Sequence, residues 1–282
     1  MLTRLLRSLT QSPGGVFEMP AALDTVHANT TAIGSTLAAA TIVSGDSFTV
    51  KNAGLTSNVW LIQAWMDAQA AAELRIRSAK MHDNVDAIRT RVQTGVIKPL
   101  LPFGYAQRLF PQDTLVVEQA GSATAGDIES SALLIYYDDL PGQAARLTTY
   151  DAIKNKLKNL LGVRLALTAG TSGGYSGAKA LNADVDLLKA NTDYAVFGMT
   201  TDTEVTSVCL RGPDTGNLRV SVPGEPDLTE DTMQWFRLLT TAYGIALMPI
   251  INSANKGATL IDVVSDENAA SPKVVVWLGE LG

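Results

Sequence analysis

Apolar and polar positions in this chain alternate mostly in short runs, and the runs end at turn residues. Asp46–Asn52 (DSFTVKN), Thr114–Gln119 (TLVVEQ), Ser131–Tyr137 (SALLIYY) and Asp193–Met199 (DYAVFGM) are rich in β-branched and aromatic residues. So are Val205–Gly212 (VTSVCLRG), Asn217–Val222 (NLRVSV), Thr259–Val264 (TLIDVV) and Lys273–Leu278 (KVVVWL). Gly, Pro, Asn or Asp bound nearly all of them, which predicts strands joined by tight turns. Thr25–Gly45 is uncharged and as long as a membrane span, but His27, Asn29 and repeated Ser and Thr make it too polar for one, so it reads as extended chain. Val59–Leu74 (VWLIQAWMDAQAAAEL) fits neither period. It begins like a strand and continues with strong helix formers, and both readings stay open.

Two stretches carry the helical period instead. Thr148–Gly162 places Tyr150, Ile153, Leu157, Leu160 and Leu161 on one face, with Thr148 and Asp151 in capping-box spacing and Gly162 as a stop. Asp227–Gly244 does the same with Trp235, Phe236, Leu239, Ala242 and Tyr243, closed by Gly244. Each follows a Pro-Gly pair, and Pro141 to Gly162 and Pro223 to Gly244 are both separations of 21 residues, so the unit recurs at an offset of 82. The recurrence predicts two related β modules, each with one short helix.

Composition changes this picture little. The chain has 282 residues, 46% of them hydrophobic, which is enough for a large packed core. Twenty-two basic against 28 acidic residues give a net charge of −6, so the surface as a whole does not attract polyanions. The one cysteine, Cys209, sits in an alternating run as a small hydrophobe and has no internal partner for a disulfide. At the N-terminus, Leu2, Leu5, Leu6 and Leu9 are spaced as a helix with Arg4 and Arg7 opposite, until Ser12–Gly15 stops it. It reads as an arm docked on its own domain, or on a partner subunit or membrane surface.

Candidate chemistry is sparse. Gly170–Gly174 (GTSGG) matches the G-x-S-x-G elbow that would make Ser172 a nucleophile, yet His27 and His82 both precede it, against the hydrolase order. A protease-like His82, Asp83 and Ser172 set would need unusual geometry between adjacent residues. A Gly/Ser loop joining two modules is the plainer reading. Two distant histidines and one cysteine supply no zinc set, and no phosphate loop or dinucleotide fingerprint occurs. Arg211–Gly224 reads as a hairpin turning at Pro213–Asn217, and the four tryptophans as core.

Arg75–Val92 (RIRSAKMHDNVDAIRTRV) is the most charged feature. Alternation sets Arg75 and Arg77 opposite Leu74 and Ile76, and Arg89 and Arg91 opposite Ile88 and Val92, as two half-buried strands with a turn through His82. Its arginines read as a solvated face of ion pairs or as a basic strip at a subunit contact or toward phosphates.

The segments ELRIRSAKMHDNVDAIR, ALLIYYDDLPG, YAVFGMTTDTEV and GNLRVSVPG, spread from about Asp46 onward, give the chain a resemblance to the jelly-roll major capsid proteins of tailless icosahedral bacteriophages. The resemblance implies a mainly β, tandem (double) jelly-roll sandwich. Its modules would be an arm and extended segment over 1–44, a first module over 45–170 and a second over 171–282. It further implies a structural virion protein, not an enzyme, made in the host cytoplasm. Such a subunit forms homotrimers and a self-assembling icosahedral shell around the genome, with contacts to other virion proteins. An internal membrane or the genome would be met through the arm. It needs no cofactor, metal, catalytic residue or small-molecule substrate. Arg4, Arg7, Arg75, Arg77, Arg89 and Arg91 are then the candidate assembly or interior-facing contacts. A single roll with insertions, a serine hydrolase using Ser172, and a receptor- or carbohydrate-binding spike module are the alternatives.

Overall fold

The structure, a computed structural model, describes residues 21–31, 34–42, 48–51, 58–81, 83–168, 172–265 and 271–282. Among these residues it is a β-sandwich protein of four sheets, with every strand pair antiparallel. The first nine strands form two of them. One sheet orders β3 (Thr41–Ile42), β1 (Ala22–Thr31), β9 (Ile128–Tyr137), β4 (Val59–Asp67) and β7 (Gln107–Leu109); the other orders β2 (Ala38–Ala39), β8 (Val116–Ala120), β5 (Ala72–Arg77) and β6 (Ile88–Val92).

The remaining strands repeat the plan. One sheet orders β10 (Leu147–Thr148), β16 (Met248–Asn252), β13 (Asp193–Thr201), β18 (Lys273–Leu281) and β11 (Leu157–Ala166). Its companion orders β12 (Tyr175–Ala180), β17 (Leu260–Val264), β14 (Val205–Arg211) and β15 (Val220–Gly224). Setting aside the short flanking strands β3 and β10, each half has eight strands, and numbered within their half they order 1-8-3-6 and 2-7-4-5. This is a complete jelly roll, twice.

The two-roll expectation therefore stands, but its boundaries and its repeat move. β1 is an interior strand of the first roll rather than part of an arm, and β11 and β12 both pair within the second roll, so the rolls divide between Tyr137 and Leu147 and not at Gly170. Equivalent strands begin at Val59 and Asp193, Ala72 and Val205, and Ile88 and Val220, which are offsets of 134, 133 and 132. The recurrence at 82 residues instead links two segments that both precede strands of the second roll. Among the described residues the first roll has no helix, so one helix per module does not hold.

The first of those segments is mostly not helical. Thr149 caps a single turn, α1 (Tyr150–Ile153), by accepting from the Ala152 N–H, and β11 begins four residues later. Pairing along β18 and burial of alternate Val163 and Leu165 outweigh the local helical spacing of Leu157, Leu160 and Leu161. The second segment is helical, as α2 (Thr229–Met233) and α3 (Trp235–Tyr243), broken at Gln234 and ended by Gly244 in the left-handed region (φ 67°). Trp235, Phe236 and Leu239 face the core.

The ambiguous Val59–Leu74 is β4 and the start of β5, and a bulge explains its confusing pattern. The register slips between Leu61 and Gln63, so Val59, Leu61, Ala64 and Met66 all point into the first roll while Ile62 and Trp65 point the other way. Both faces are buried, so the strand reads as a continuous apolar run.

The layers stack in a defined order. One core lies between the two sheets of the first roll, built from residues such as Leu61, Leu74, Ile76, Leu133 and Tyr137. The second fills the second roll and continues onto the back of β1, β4 and β9 through Leu23, Ile62, Trp65, Ala132 and Leu134. The sheet holding β1 thus packs face to face on the sheet holding β14, and the rolls share one core across their contact. Trp65, edge to face with Trp235 at 5.9 Å, donates from Nε1 to the Thr206 carbonyl at 2.8 Å. No described helix is long and apolar enough to cross a membrane.

Candidate functional site: an arginine ladder and a polar seam

Four of the six candidate arginines stand together on the outer face of the sheet β2-β8-β5-β6, while Arg4 and Arg7 lie outside the described residues. The expected alternation is realised: in β5 Leu74 and Ile76 are buried, with Arg75 and Arg77 on the other face. Register sets Arg75 between Arg89 on β6 and Glu118 on β8, and Glu73 opposite Arg91. Arg75 Nε donates to Glu118 Oε2 at 2.5 Å, and Arg77 Nε to the same oxygen at 2.9 Å. Arg89 donates to Glu73 at 2.7 Å and to Asp86 at 3.2 Å.

Three carboxylates, Glu73, Asp86 and Glu118, thus lie among four guanidinium groups. Hydrogen bonds from Arg77 and Arg75 hold the Glu118 carboxyl down at about 2, so it stays charged at any ordinary pH. Arg91, 91% exposed and 3.7 Å from Glu73, projects furthest into solvent. The face is a near-balanced ladder of ion pairs rather than an open basic strip. Sequence found the arginines because their period is local; it missed Glu118, which comes from a strand 41 residues beyond Arg77.

The second polar feature is the seam between the rolls. Alternation along β1 points Thr25, His27 and Asn29 at the second roll, where β12, β14, β15 and β17 supply the other wall. The Thr25 N–H donates to the Arg219 carbonyl at 2.7 Å, and Thr25 Oγ1 accepts from the Ser221 N–H at 3.1 Å. Asn29 Nδ2 donates to the Gly173 carbonyl at 2.5 Å. His27 is fully buried, with Nδ1 3.1 Å from the Tyr175 hydroxyl and Nε2 4.0 Å from Cys209 Sγ.

Charge is concentrated at one side of this seam. Asp262, 1% exposed, accepts from Arg219 at 3.1 Å and from Arg211 at 3.2 Å, and the Arg219 guanidinium lies over the Tyr175 ring at 3.5 Å. Burial, reinforced by Arg219, lowers the His27 imidazole to about 3, so it is neutral at neutral pH. Burial likewise raises the Cys209 thiol, with the Asp262 charge adding to it, which makes it a packed and unreactive group.

These contacts bear on the nucleophile elbow. Ser172 and Gly173 form the turn entering β12, and Gly173, at φ 67°, lies against Asn29. The turn therefore approaches the histidine that sequence order had set apart. Both ring nitrogens of His27, however, face Tyr175 and Cys209. His82 lies outside the described residues. Among the described residues no three His, Cys, Asp or Glu side chains gather as a metal site. The hairpin expected over Arg211–Gly224 is present, with Gly216 and Asn217 at φ 63° and 59°.

No family model matches the chain, and no curated protein matches it by sequence. One solved structure similar to it is the crystal structure of PBSX exported protein XepA, at 10% identity and a TM-score of 0.28, over 94% of this chain and 88% of that one. At that score the likeness establishes neither fold nor role.

Proposed function

We propose that this chain is the building block of a protein shell: a major capsid protein that assembles through trimers into an icosahedral coat around a viral genome. The observation that carries the reading is the pair of complete jelly rolls stacked through a shared core. A rigid two-roll block presents loops and sheet edges as contact surfaces, and jelly rolls are a recurrent shell architecture; the step from architecture to role is an analogy of fold. The polar features agree with it. The arginine ladder and the seam are built of groups that engage one another, which suits a rigid structural subunit. The arms and loops, including Arg4 and Arg7, would make the contacts between subunits, and Arg91 is the most exposed member of the ladder and could join them.

The experiment is direct. The purified chain is run by size exclusion with light scattering and viewed by negative-stain microscopy. Trimers or closed particles are the expected result. A stable monomer at all concentrations overturns the reading, and a serine-dependent hydrolase activity lost in Ser172→Ala replaces it with catalysis.

A further inference from the structure

We infer that the open edge of β11 is a docking surface for a second copy of this chain, and that the acidic first turn of α2 on that copy is what it receives. This deepens the self-assembly reading and rests on it.

β11 is ten residues long and pairs only with β18, so its other edge has no strand partner among the described residues. Long open edges are normally blocked, because their free N–H and C=O groups invite another chain. Here the block covers one end alone. An Asp184 carboxylate oxygen accepts from the Ala166 N–H at 2.8 Å and Lys179 Nζ donates to the Ala166 carbonyl at 2.9 Å, the two side chains being paired at 2.5 Å. The stretch from Leu157 to Leu165 has no such plug among the described residues.

The open stretch also carries exposed apolar surface. Of the six large hydrophobic side chains that are exposed among the described residues, Leu160 (60%) lies on the outer face of β11, and Val185 and Leu187 (49% and 48%) lie on the loop before β13. The last two belong to a loop tied along the same edge, by Asp184 to Ala166 and by Lys189 to Glu280, which also accepts from Asn159 of β11. An exposed leucine on a strand with free backbone suits a contact surface.

Charge selects the occupant. Lys156, Lys158 and Arg164 are exposed on β11 and the turn before it and close no ion pair among the described residues; Lys158 lies against Gly282 and under the longer-range pull of Glu280, and Arg164 under that of Asp184. Asp227, Glu230 and Asp231, at the start of α2, are equally exposed and close none. α2 packs over β13, with β18 between it and β11, so the three acids and three bases of one copy sit apart on the same sheet. Brought together from two copies they neutralise each other, and carboxylates can cap the free N–H groups of β11 as Asp184 already does at Ala166. Pairing of two β11 edges about a twofold centred on Leu161 would instead set Lys158 against Arg164. The contact is therefore heterologous, edge on one copy and helix turn on the next, and such contacts form rings where the rotation between copies closes.

Reversal and rescue test this by sedimentation velocity over a concentration series, with far-ultraviolet circular dichroism to verify folding. Lys158→Glu with Arg164→Glu should weaken self-association about tenfold or more, and so should Glu230→Lys with Asp231→Lys, while the four together restore it. Zero-length carbodiimide cross-linking of mixed isotope-labelled and unlabelled wild-type chains should join Lys158 or Lys156 to Glu230 or Asp231 between copies. Wild-type association that ignores the reversals, or reversals that the combination does not rescue, overturns this contact and leaves the shell reading standing. A wild-type chain that never associates overturns both.

Discussion

Lowering the pH should loosen this protein through one residue, His27. The imidazole is fully buried in the seam, its nitrogens face Tyr175 and Cys209, and the nearest full charge acting on it is the cation Arg219. Its pKa falls from 6.5 to about 3 on folding. The unfolded chain thus binds a proton at His27 between those values while the folded chain does not, so stability is complete above pH 6.5 and declines as pH drops through that window. Each pH unit within the window is worth about 1.4 kcal/mol, so about 2 to 3 kcal/mol should be lost by pH 4.5. Urea denaturation at pH 7.5, 6, 5 and 4.5 on wild type and His27→Gln measures it. The glutamine variant can be less stable at pH 7.5, but the difference between the two proteins should shrink by 2 to 3 kcal/mol on acidification. Carboxylates shared by both proteins cancel in that difference. If the two curves fall in parallel, the neutral buried histidine is refuted.

Three further outcomes follow from the packing. Asp262→Asn strips the anion from two guanidinium groups at a residue 1% exposed and should cost about 3 kcal/mol in urea unfolding, with Arg211→Gln, at the exposed side, costing about 1. Gly198→Ala would place a Cβ 1.9 Å from the Thr232 carbonyl oxygen, so α2 must move off β13; a loss of about 2 kcal/mol or more and a lower thermal midpoint are expected. On the ladder, Glu118→Gln leaves Arg75 and Arg77 without their shared anion and should cost about 1 to 2 kcal/mol, while Arg91→Gln should change stability by less than about 0.5, measured side by side.

How much of this was legible in the sequence depends on how local each signal was. The strands β8, β9, β13, β14, β15, β17 and β18 announced themselves because alternation and flanking turn residues act within a few positions. β4 did not, because the bulge at Ile62 breaks the period and both faces are buried. The failed helix at Leu157 shows the opposite case: good local spacing yielded to pairing with a strand more than a hundred residues away. The same distance hid the repeat, which lies in strand order rather than in matched residues. Arg75 and its neighbours were visible as a cluster, but their meaning depended on Glu118. The seam was not visible at all, since His27, Tyr175, Cys209, Arg219 and Asp262 come from five separate segments that meet only when the rolls stack.

The shell reading is tested most directly by the mass of the purified chain in solution, followed from low to high concentration by light scattering and negative-stain microscopy. Three-copy particles that grow into closed shells are predicted. A single 29.9 kDa species at every concentration would contradict it.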